Sequence, residues 1–431
     1  MGREVGAGMG DSRSGTGLEL PRLTFQGREP LRFPGMIRAL QAPDVHWPES
    51  CLEAPFVEAT VDRRRMVMLT DPATVTEVLL NRDGQYPRSR LHDRILGSSF
   101  GDTLVHGRTM DWPKWRHAIL SPVRATDDRT AVRRIALACD HVLSDLNEGE
   151  VDLFLLARHL ALQALWRSCF CDEDKARQSD PLVEKAARDV DALAHGPLRI
   201  QMAALGKLSE HAVETRGTAF GEAYGIVNTA LLFLHTGHDN VTAALTWALW
   251  LLARHPDIQE RVREEWASGA SADDPDRDLR TCPLTHAVIH ETLRLYPPIP
   301  QIVRHVAADL RVGDHTLHKD FTTVLGIYAM HRNRRLWTRP DAFEPDRFMG
   351  DELAAHRRLW LPFGTGPRGC VGTSFAFVTL SRAIGHVVGA FDLLPNPGHD
   401  LTCWTDFALR PHGRAPIRIR RRRAVPTGDR R

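Results

Sequence analysis

Apolar residues recur along the second half of the chain with a helical period. Residues 226–253 read IVNTALLFLHTGHDNVTAALTWALWLLA, a run long enough to cross a bilayer at about 1.5 Å per residue. His235, His238 and Asp239 lie in the middle of this run, where a lipid environment would impose a large free-energy cost on polar groups. The pattern therefore predicts a central helix with polar groups facing a cavity, and not a membrane span.

Two further patterns complete the predicted architecture. Residues 371–391, VGTSFAFVTLSRAIGHVVGAF, have helical apolar periodicity, whereas residues 315–333, HTLHKDFTTVLGIYAMHRN, alternate as strands that end in a turn. The sequence thus predicts a mainly α fold with a small β region.

The composition favours one large domain. A chain of 431 residues has room for about three domains at ~150 residues each. Its middle contains no low-complexity linker that would separate domains. We expect a disordered polar segment over residues 1–25, a single domain over 26–420 and a basic tail over 421–431. The N-terminal sequence MGREVGAGMGDSRSGTG has neither the apolar core of a signal peptide nor a transmembrane anchor, so a cytoplasmic location is expected.

Charge and cysteine usage exclude several classes of protein. A net charge of +2 argues against a strongly basic nucleic-acid binder. The seven cysteines are far apart except for Cys169 and Cys171, so neither a zinc site nor a disulfide framework is expected.

A glycine-rich run near the C-terminus, FGTGPRGCVG at residues 363–372, presents a lone thiol. The helix predicted after Cys370 would point its N-terminal N–H groups at the sulfur and stabilise a thiolate. The simplest alternative is a buried structural cysteine in a glycine-rich turn. That alternative explains neither Arg368 nor Phe363.

The same run follows the pattern F-x-x-G-x-R-x-C-x-G, which resembles the haem-ligand loop of the cytochromes P450 of the soluble bacterial type. This resemblance implies a triangular helical prism around one haem b, with Cys370 as the iron ligand. It also implies that Phe363 shields the thiolate, that Arg368 pairs with a haem propionate, and that Gly364 and Gly372 let the backbone approach the ring.

The central run resembles the family's distal helix, which carries the pattern A/G-G-x-D/E-T-T. The resemblance makes Thr236, Gly237, Asp239 and Asn240 the predicted catalytic residues, with Asp239 as the acid of a proton relay. Asn240 stands where the family has a threonine, and an amide is a poor proton carrier. Four explanations stay open: Asn240 holds the ordered water, the substrate supplies a hydroxyl, the oxidation needs no standard relay, or the change is neutral.

A third pattern predicts a structural charge network. Glu291 and Arg294 form E-x-x-R, which alone would indicate an ordinary surface ion pair. Downstream, FEPDRF resembles the family's F-x-P-E-R-F motif, with Asp346 in place of glutamate and Arg347 at the arginine position. The resemblance implies that Glu291, Arg294 and Arg347 form a buried network behind the ligand loop.

Three more residues are candidate propionate partners by family position. Trp112 and Arg116 form W-x-x-x-R, and Arg304 lies ten residues after Arg294. Arg304 fits equally well as a residue on the surface of a strand edge.

The resemblance implies oxidation of an organic small molecule with dioxygen and two electrons from a ferredoxin and its reductase. The stretch before the central helix is shorter than in relatives, which indicates either a more open roof that admits a large or carrier-bound substrate, or the loss of a peripheral helix. The substrate is expected to be a small molecule or carrier-bound, and the soluble, Arg-rich chain favours a natural-product intermediate. Oxidative coupling, desaturation and peroxide-driven oxidation are alternatives that would use the Asn240 site. A haem-thiolate sensor or binding protein is an alternative of another class.

Overall fold

The computed structural model describes residues 20–23, 47–61, 64–88, 129–170, 237–268, 282–312, 315–319, 321–405 and 408–422. The helices are α1 (Pro72–Leu80), α2 (Arg129–Ser144), α3 (Leu153–Phe170), α4 (residues 237–254), α5 (Pro256–Ser268), α6 (Pro283–Leu295), α7 (Ile327–His331), α8 (Glu352–Arg358) and α9 (Thr373–Ala390). Short 3₁₀ turns cover Glu49–Leu52, Pro345–Phe348 and Gly366–Arg368.

The strands are short and belong to small sheets. They are β1 (Phe56–Val61), β2 (Arg64–Leu69), β3 (Gly149–Asp152), β4 (Ile302–His305), β5 (Leu310–Val312), β6 (His315–Leu317), β7 (Thr322–Leu325), β8 (Phe391–Pro395), β9 (Cys403–Thr405), β10 (Leu409–Pro411) and β11 (Pro416–Arg421). The prediction of a mainly α fold with a small β region is confirmed.

Helix α4 lies in the centre of the main core. Residues 241–253 of this helix are buried on every side, as expected for a helix whose sequence is apolar all round. The Trp247 ring stacks on Tyr296 of the α6 C-terminus with 3.9 Å between centroids. The predicted central helix is thus confirmed for residues 237–253, and residues 226–236 lie outside the described part of the chain.

Helix α9 is buried in the same core. Residues 379–385 of this helix are all buried, as are Phe377, Val387 and Val388, so its middle is enclosed on every side. This burial fixes the direction in which the helix leaves Cys370.

The largest described sheet has the order β1-β2-β7-β4. Strands β2 and β7 are parallel, and β4 joins β7 antiparallel, with Val303 opposite Val324. Strand β4 therefore lies at an edge of this sheet, and β4 carries Arg304. A second sheet, β3-β11-β8, pairs segments far apart in the chain.

The ends of the predicted domain are tied to this core. Leu20 and Leu23 are buried, and the Leu23 N–H donates to the Tyr328 hydroxyl at 3.0 Å. Residues 20–23 belong to the segment for which the sequence predicted disorder, yet here they are part of the core. At the other end, Arg421 completes β11, so the predicted basic tail begins inside a strand.

The hydropathy of the helices bears on the membrane question. Among the helices in the described ranges, none combines the length and the apolar character needed to span a bilayer.

Candidate active site

The loop that carries Cys370 is held by its own backbone. The Cys370 N–H donates to the Phe363 carbonyl at 2.9 Å, and the Gly369 N–H donates to the Gly366 carbonyl at 3.0 Å. These bonds close the loop around the 3₁₀ turn and leave the Cys370 side chain exposed. The thiol is therefore presented outward from a fixed backbone.

Two glycines make this loop possible. Gly364 and Gly366 have φ angles of +63° and +73°, in the left-handed region that residues with a side chain rarely adopt. A Cβ on Gly366 would also lie 2.8 Å from the Leu79 carbonyl oxygen and 3.0 Å from the Leu80 Cα. The loop thus packs directly against the C-terminal turn of α1.

The thiol lies beside the N-terminus of α9. Gly372 is the N-cap, and a Cβ placed on it would be 3.9 Å from the Cys370 sulfur. Because a helix N-terminus carries partial positive charge and unsatisfied N–H groups, it stabilises a thiolate at this position. The helix predicted after Cys370 is confirmed as α9.

Phe363 lies in an aromatic cluster below the loop. Its ring is 5.8 Å from both Trp360 and Phe377, measured between centroids. The Trp360 indole N–H donates to the carbonyl of His290, a residue of α6, at 2.9 Å. Burial lowers the pKa of His290 to about 4, so this imidazole stays neutral within the cluster at neutral pH.

Three arginines, one of them in the ligand loop, are close enough for their charges to interact. Burial, followed by the positive charges of Arg88 and Arg368, lowers the pKa of Arg304 to about 10. Arg88 forms an isolated antiparallel bridge with Arg304 at the edge of β4. Grouped cations of this kind are favourable sites for an anionic ligand, because the anion offsets their mutual repulsion.

The predicted charge network is present as a buried cluster. The Glu291 carboxylate accepts from the Arg294 Nε and terminal nitrogen at 2.7 and 2.8 Å, from the Arg347 Nε at 3.0 Å and from the Glu344 N–H at 2.9 Å. The side chains of Glu291 and Arg294 are 0% exposed. Such complete pairing is what makes burial of these charges tolerable.

Arg294 also holds the chain that leads to the loop. It donates to the carbonyls of His331, Pro340 and Ala342 at 2.9, 2.7 and 2.9 Å. The network therefore fixes backbone as well as side chains.

The two acidic residues of the FEPDRF motif pair with different arginines. Glu344 pairs with Arg347 at 2.8 Å inside the network. Asp346, which replaces the family's glutamate, turns outward and forms a bidentate pair with Arg261 of α5 at the surface.

The predicted distal residues lie at the start of the described part of α4. Gly237, Asp239 and Asn240 are half-buried, whereas His238 is buried. A Cβ on Gly237 would lie 3.5 Å from Leu165 of α3, an ordinary van der Waals distance. Their catalytic roles stay predictions. Thr236 lies outside the described residues.

Trp112 and Arg116 also lie outside the described residues, so their predicted haem contacts stay predictions. Cys370, Phe363, Gly364 and Gly372 come together in one loop. Arg304 lies on β4, which is an edge strand of its sheet. It is also close enough to Arg88 and Arg368 for their charges to lower its pKa. Its position therefore fits both a strand-edge residue and a member of a basic cluster.

Sequence reasoning did not identify Arg88, Glu344 or His331. Glu344 stands three residues before Arg347, a spacing that would have indicated a pair. Arg88 meets Arg304 only through pairing between segments far apart in the chain, which local sequence does not reveal. His331 meets the segment before the loop only through tertiary packing, where its Nε2 accepts from the Leu361 N–H.

The described side chains fit a haem. A helix N-terminus beside the Cys370 thiol suits a soft, anionic iron ligand. Arg304, Arg88 and Arg368 offer guanidinium groups that match carboxylates in charge and geometry. The residues present would therefore hold both ends of such a group, the iron through sulfur and the propionates through arginine.

Known proteins match this chain in sequence over its C-terminal half. A family model described as "Cytochrome P450" matches residues 214–413. Probable cytochrome P450 4d20 of Drosophila melanogaster is 32% identical over 230 residues, which is 52% of this chain and 44% of that protein. Cytochrome P450 4A11 of Homo sapiens is 36% identical over 192 residues, 44% of this chain and 37% of that protein.

The matched region of this chain spans less than half the length of these relatives.

Solved structures have a similar fold over a larger part of the chain. The cytochrome P450DA heme domain aligns with a TM-score of 0.69 at 21% identity, covering 86% of this chain and 90% of its own.

A zebra fish cytochrome P450, determined with progesterone, aligns with the same TM-score at 21% identity and covers 86% of this chain and 97% of its own. The fold similarity thus continues well beyond the segment that the family model matches. The ligand loop and the buried network behind it both lie within residues 214–413, which match the cytochrome P450 family, whose cofactor is haem, and the fold is similar to that of solved cytochromes P450.

Proposed function

We propose that this protein is a haem-thiolate monooxygenase that oxidises an organic small molecule with dioxygen and two electrons. The observation that carries the proposal is the Cys370 loop, in which an outward thiol lies at the N-terminus of α9. When bound, the haem would supply the activation of dioxygen.

Cys370 has the role of iron ligand. The dipole of α9 favours its thiolate over its thiol, and the Cys370 N–H bond to the Phe363 carbonyl fixes the residue. Phe363 and its aromatic neighbours exclude water from one side of the loop. A deprotonated sulfur at this position would hold the haem iron and supply the electron density that favours O–O cleavage.

Arg304, Arg368 and Arg88 have the role of orienting the cofactor. Their charges repel one another, since the pKa of Arg304 is lowered to about 10 by burial and by both neighbours. Two propionates would relieve this repulsion through charge-assisted hydrogen bonds. Trp112 and Arg116 are proposed as further partners on family position alone.

The distal residues have the role of moving protons. We assign Asp239 as the acid and Asn240 as the residue that holds ordered water, with Gly237 and Thr236 shaping the adjacent groove. An amide presents a separate donor and acceptor, so Asn240 positions water but carries protons poorly. Delivery of protons through Asp239 is therefore expected to limit this step.

The substrate class in this proposal is an organic small molecule, free or carrier-bound. A natural-product intermediate is the finer version, and its only support is the soluble, Arg-rich character of the chain. A separate ferredoxin and its reductase are the proposed electron donors. A cytoplasmic location remains part of this proposal.

One observation favours a second candidate. Asn240 replaces the relay threonine, which suits oxidative coupling, desaturation or a peroxide-driven reaction that does not need the usual proton delivery. A haem-thiolate sensor would also tolerate Asn240 but would not turn over.

The test is turnover of compounds that first shift the haem spectrum on binding. With NAD(P)H, a ferredoxin, its reductase and isotope-labelled dioxygen, we expect product carrying one labelled oxygen. Product with hydrogen peroxide alone, and none with the reductase system, would instead establish the peroxide-driven alternative. Spectral binding without product under either condition would establish a sensor.

A further inference from the structure

A line of hydrogen bonds joins the buried charge network to the ligand loop. Arg294 donates to the His331 carbonyl at 2.9 Å, and the Leu361 N–H donates to the His331 Nε2 at 3.0 Å. The Leu361 carbonyl in turn accepts from the Gly364 N–H at 3.0 Å, and the Phe363 carbonyl accepts from the Cys370 N–H. His331 is therefore the one side chain in this line between the network and the loop.

The His331 ring is held in the form that accepts a hydrogen bond from the Leu361 N–H. It is 0% exposed, and burial together with the positive charge of Arg294 lowers the pKa of His331 to about 3. The ring is thus neutral at ordinary pH, and Nε2 keeps its lone pair for the Leu361 N–H.

We propose that His331 is a positioning residue for the thiolate ligand, because it fixes Leu361 and thereby sets the start of the loop that presents Cys370. The proposal rests on the assignment of Cys370 as the haem ligand made above. His331 touches neither the cofactor nor the substrate in this role. Its effect reaches the iron only through the backbone from Leu361 to Cys370.

The physical reason lies in the Leu361 N–H. Leu361 is half-buried and begins the segment that turns at Gly364. Without the imidazole acceptor this N–H has no hydrogen-bond partner. Because an unpaired, partly buried backbone donor costs free energy, the backbone at Leu361 would move to reach another acceptor. The loop would then be free to shift, and small shifts of a supporting residue loosen the geometry of a ligand.

Helix α7 offers a matched control. Tyr328 is buried, belongs to α7 together with His331, and also accepts a backbone N–H, that of Leu23 at 3.0 Å. Tyr328→Phe therefore removes the same kind of bond from the same helix, but the N–H that loses its acceptor lies near the N-terminus and not in the ligand loop.

The experiment compares the haem-loaded wild-type protein with three variants. His331→Leu removes the acceptor, His331→Gln retains one of similar reach, and Tyr328→Phe is the control. For each reduced carbonyl complex, the fraction with the red-shifted Soret band of thiolate ligation is measured over time. Amide hydrogen exchange of Leu361 is measured in parallel.

We expect His331→Leu to lose the thiolate band at least several-fold faster than wild type, with His331→Gln in between and Tyr328→Phe unchanged. Leu361 should exchange slowly in wild type. Equal rates of loss in His331→Leu and Tyr328→Phe would overturn the proposal. Should His331→Leu not fold, fast exchange of Leu361 in the wild-type protein would overturn it alone.

The proposal can fail separately from the ligand assignment. If wild-type protein binds haem without the thiolate band, Cys370 is not the ligand and His331 has no such role. If the band is present but insensitive to His331, the ligand assignment stands and the positioning role is wrong.

Discussion

The two sides of the candidate active site differ in how their residues are held. On the proximal side, Cys370 and Glu291 are fixed by hydrogen bonds to backbone and to buried charges. On the distal side, Asp239 and Asn240 are half-buried on one turn of α4. We therefore expect substitutions on the proximal side to change folding and haem ligation, and substitutions at the proposed distal residues to change the chemistry.

The departures from the family patterns follow the same division. Asn240 stands where the family pattern has a threonine, directly before the buried residues 241–253 of α4. In the network, the one replacement is Asp346, which faces the surface and leaves Glu291 and its partners intact. Both departures from the family patterns therefore stand at positions that are not fully buried.

The largest expected effect is the loss of Glu291. Glu291→Ala leaves Arg294 buried without its counter-ion and Arg347 with Glu344 as its remaining carboxylate partner. Removing one partner of a buried pair costs about 3–5 kcal/mol. We expect aggregated or haem-free protein, and a matching fall in the free energy of unfolding in urea. The matched control is Asp346→Ala, because Asp346 is exposed and its pair with Arg261 contributes about 1 kcal/mol or less. Equal losses in the two variants would show that the buried network carries no special weight.

The next effect concerns pH and His290. Burial lowers the pKa of His290 in the folded state to about 4, against an ordinary value of 6.5. Between these values the unfolded chain binds a proton that the folded protein does not, so stability falls as pH drops from 6.5 to 4. The loss from this residue is on the order of 3 kcal/mol. Above pH 6.5 its contribution is constant.

His290→Phe isolates this contribution, because a phenyl ring fits among Trp360 and Phe377 and does not titrate. Urea unfolding at a series of pH values should show a shallower decline for the variant between pH 6.5 and 4. Parallel curves for the variant and wild type would mean that His290 is not kept neutral by the proximal core.

A smaller effect is expected at the turn of the ligand loop. Gly364→Ala and Gly366→Ala share the cost of a positive φ, but only the second places a Cβ against the α1 backbone at 2.8 Å. Gly366→Ala should therefore be less stable than Gly364→Ala by about 1–3 kcal/mol, the usual cost of overpacking. Thermal unfolding of both haem-loaded variants measures the difference. Equal stabilities would contradict the close packing of the loop on α1.

The smallest effect on stability, and the clearest on chemistry, is expected at Asn240. Asn240→Thr should change the free energy of unfolding by about 1 kcal/mol or less, while a restored hydroxyl raises the product formed per NAD(P)H. Asp239→Asn should slow turnover. Lower product yield in Asn240→Thr would favour the coupling chemistry, and unchanged turnover in both variants would mark Asn240 as a neutral substitution.

Local patterns in the sequence were sufficient for the proximal side. The positions of Cys370, Phe363 and the α9 N-terminus lie within one continuous run, so their geometry follows from a turn and a helix. Glu291 and Arg294 share one turn of α6, and the FEPDRF motif supplied their partner. Most of these contacts join residues that are close in the sequence, so they depend little on how distant segments pack.

Other contacts could not be derived in this way. Arg88 meets Arg304 because segment 85–88 pairs with β4, and His331 meets Leu361 because α7 packs behind the loop. Residues 20–23 were expected to be disordered, but the Tyr296 and Tyr328 hydroxyls bind their backbone. Each of these contacts depends on tertiary packing between segments that carry no local signal of each other.

The central claim is that Cys370 supplies a thiolate to the haem iron. The most direct measurement is the absorption spectrum of the reduced carbonyl complex for wild type, Cys370→Ala and the control Cys403→Ala, a half-buried cysteine of β9. We expect the red-shifted Soret band of thiolate ligation in wild type and in Cys403→Ala, and its loss in Cys370→Ala. An unaltered band in Cys370→Ala would contradict the central claim.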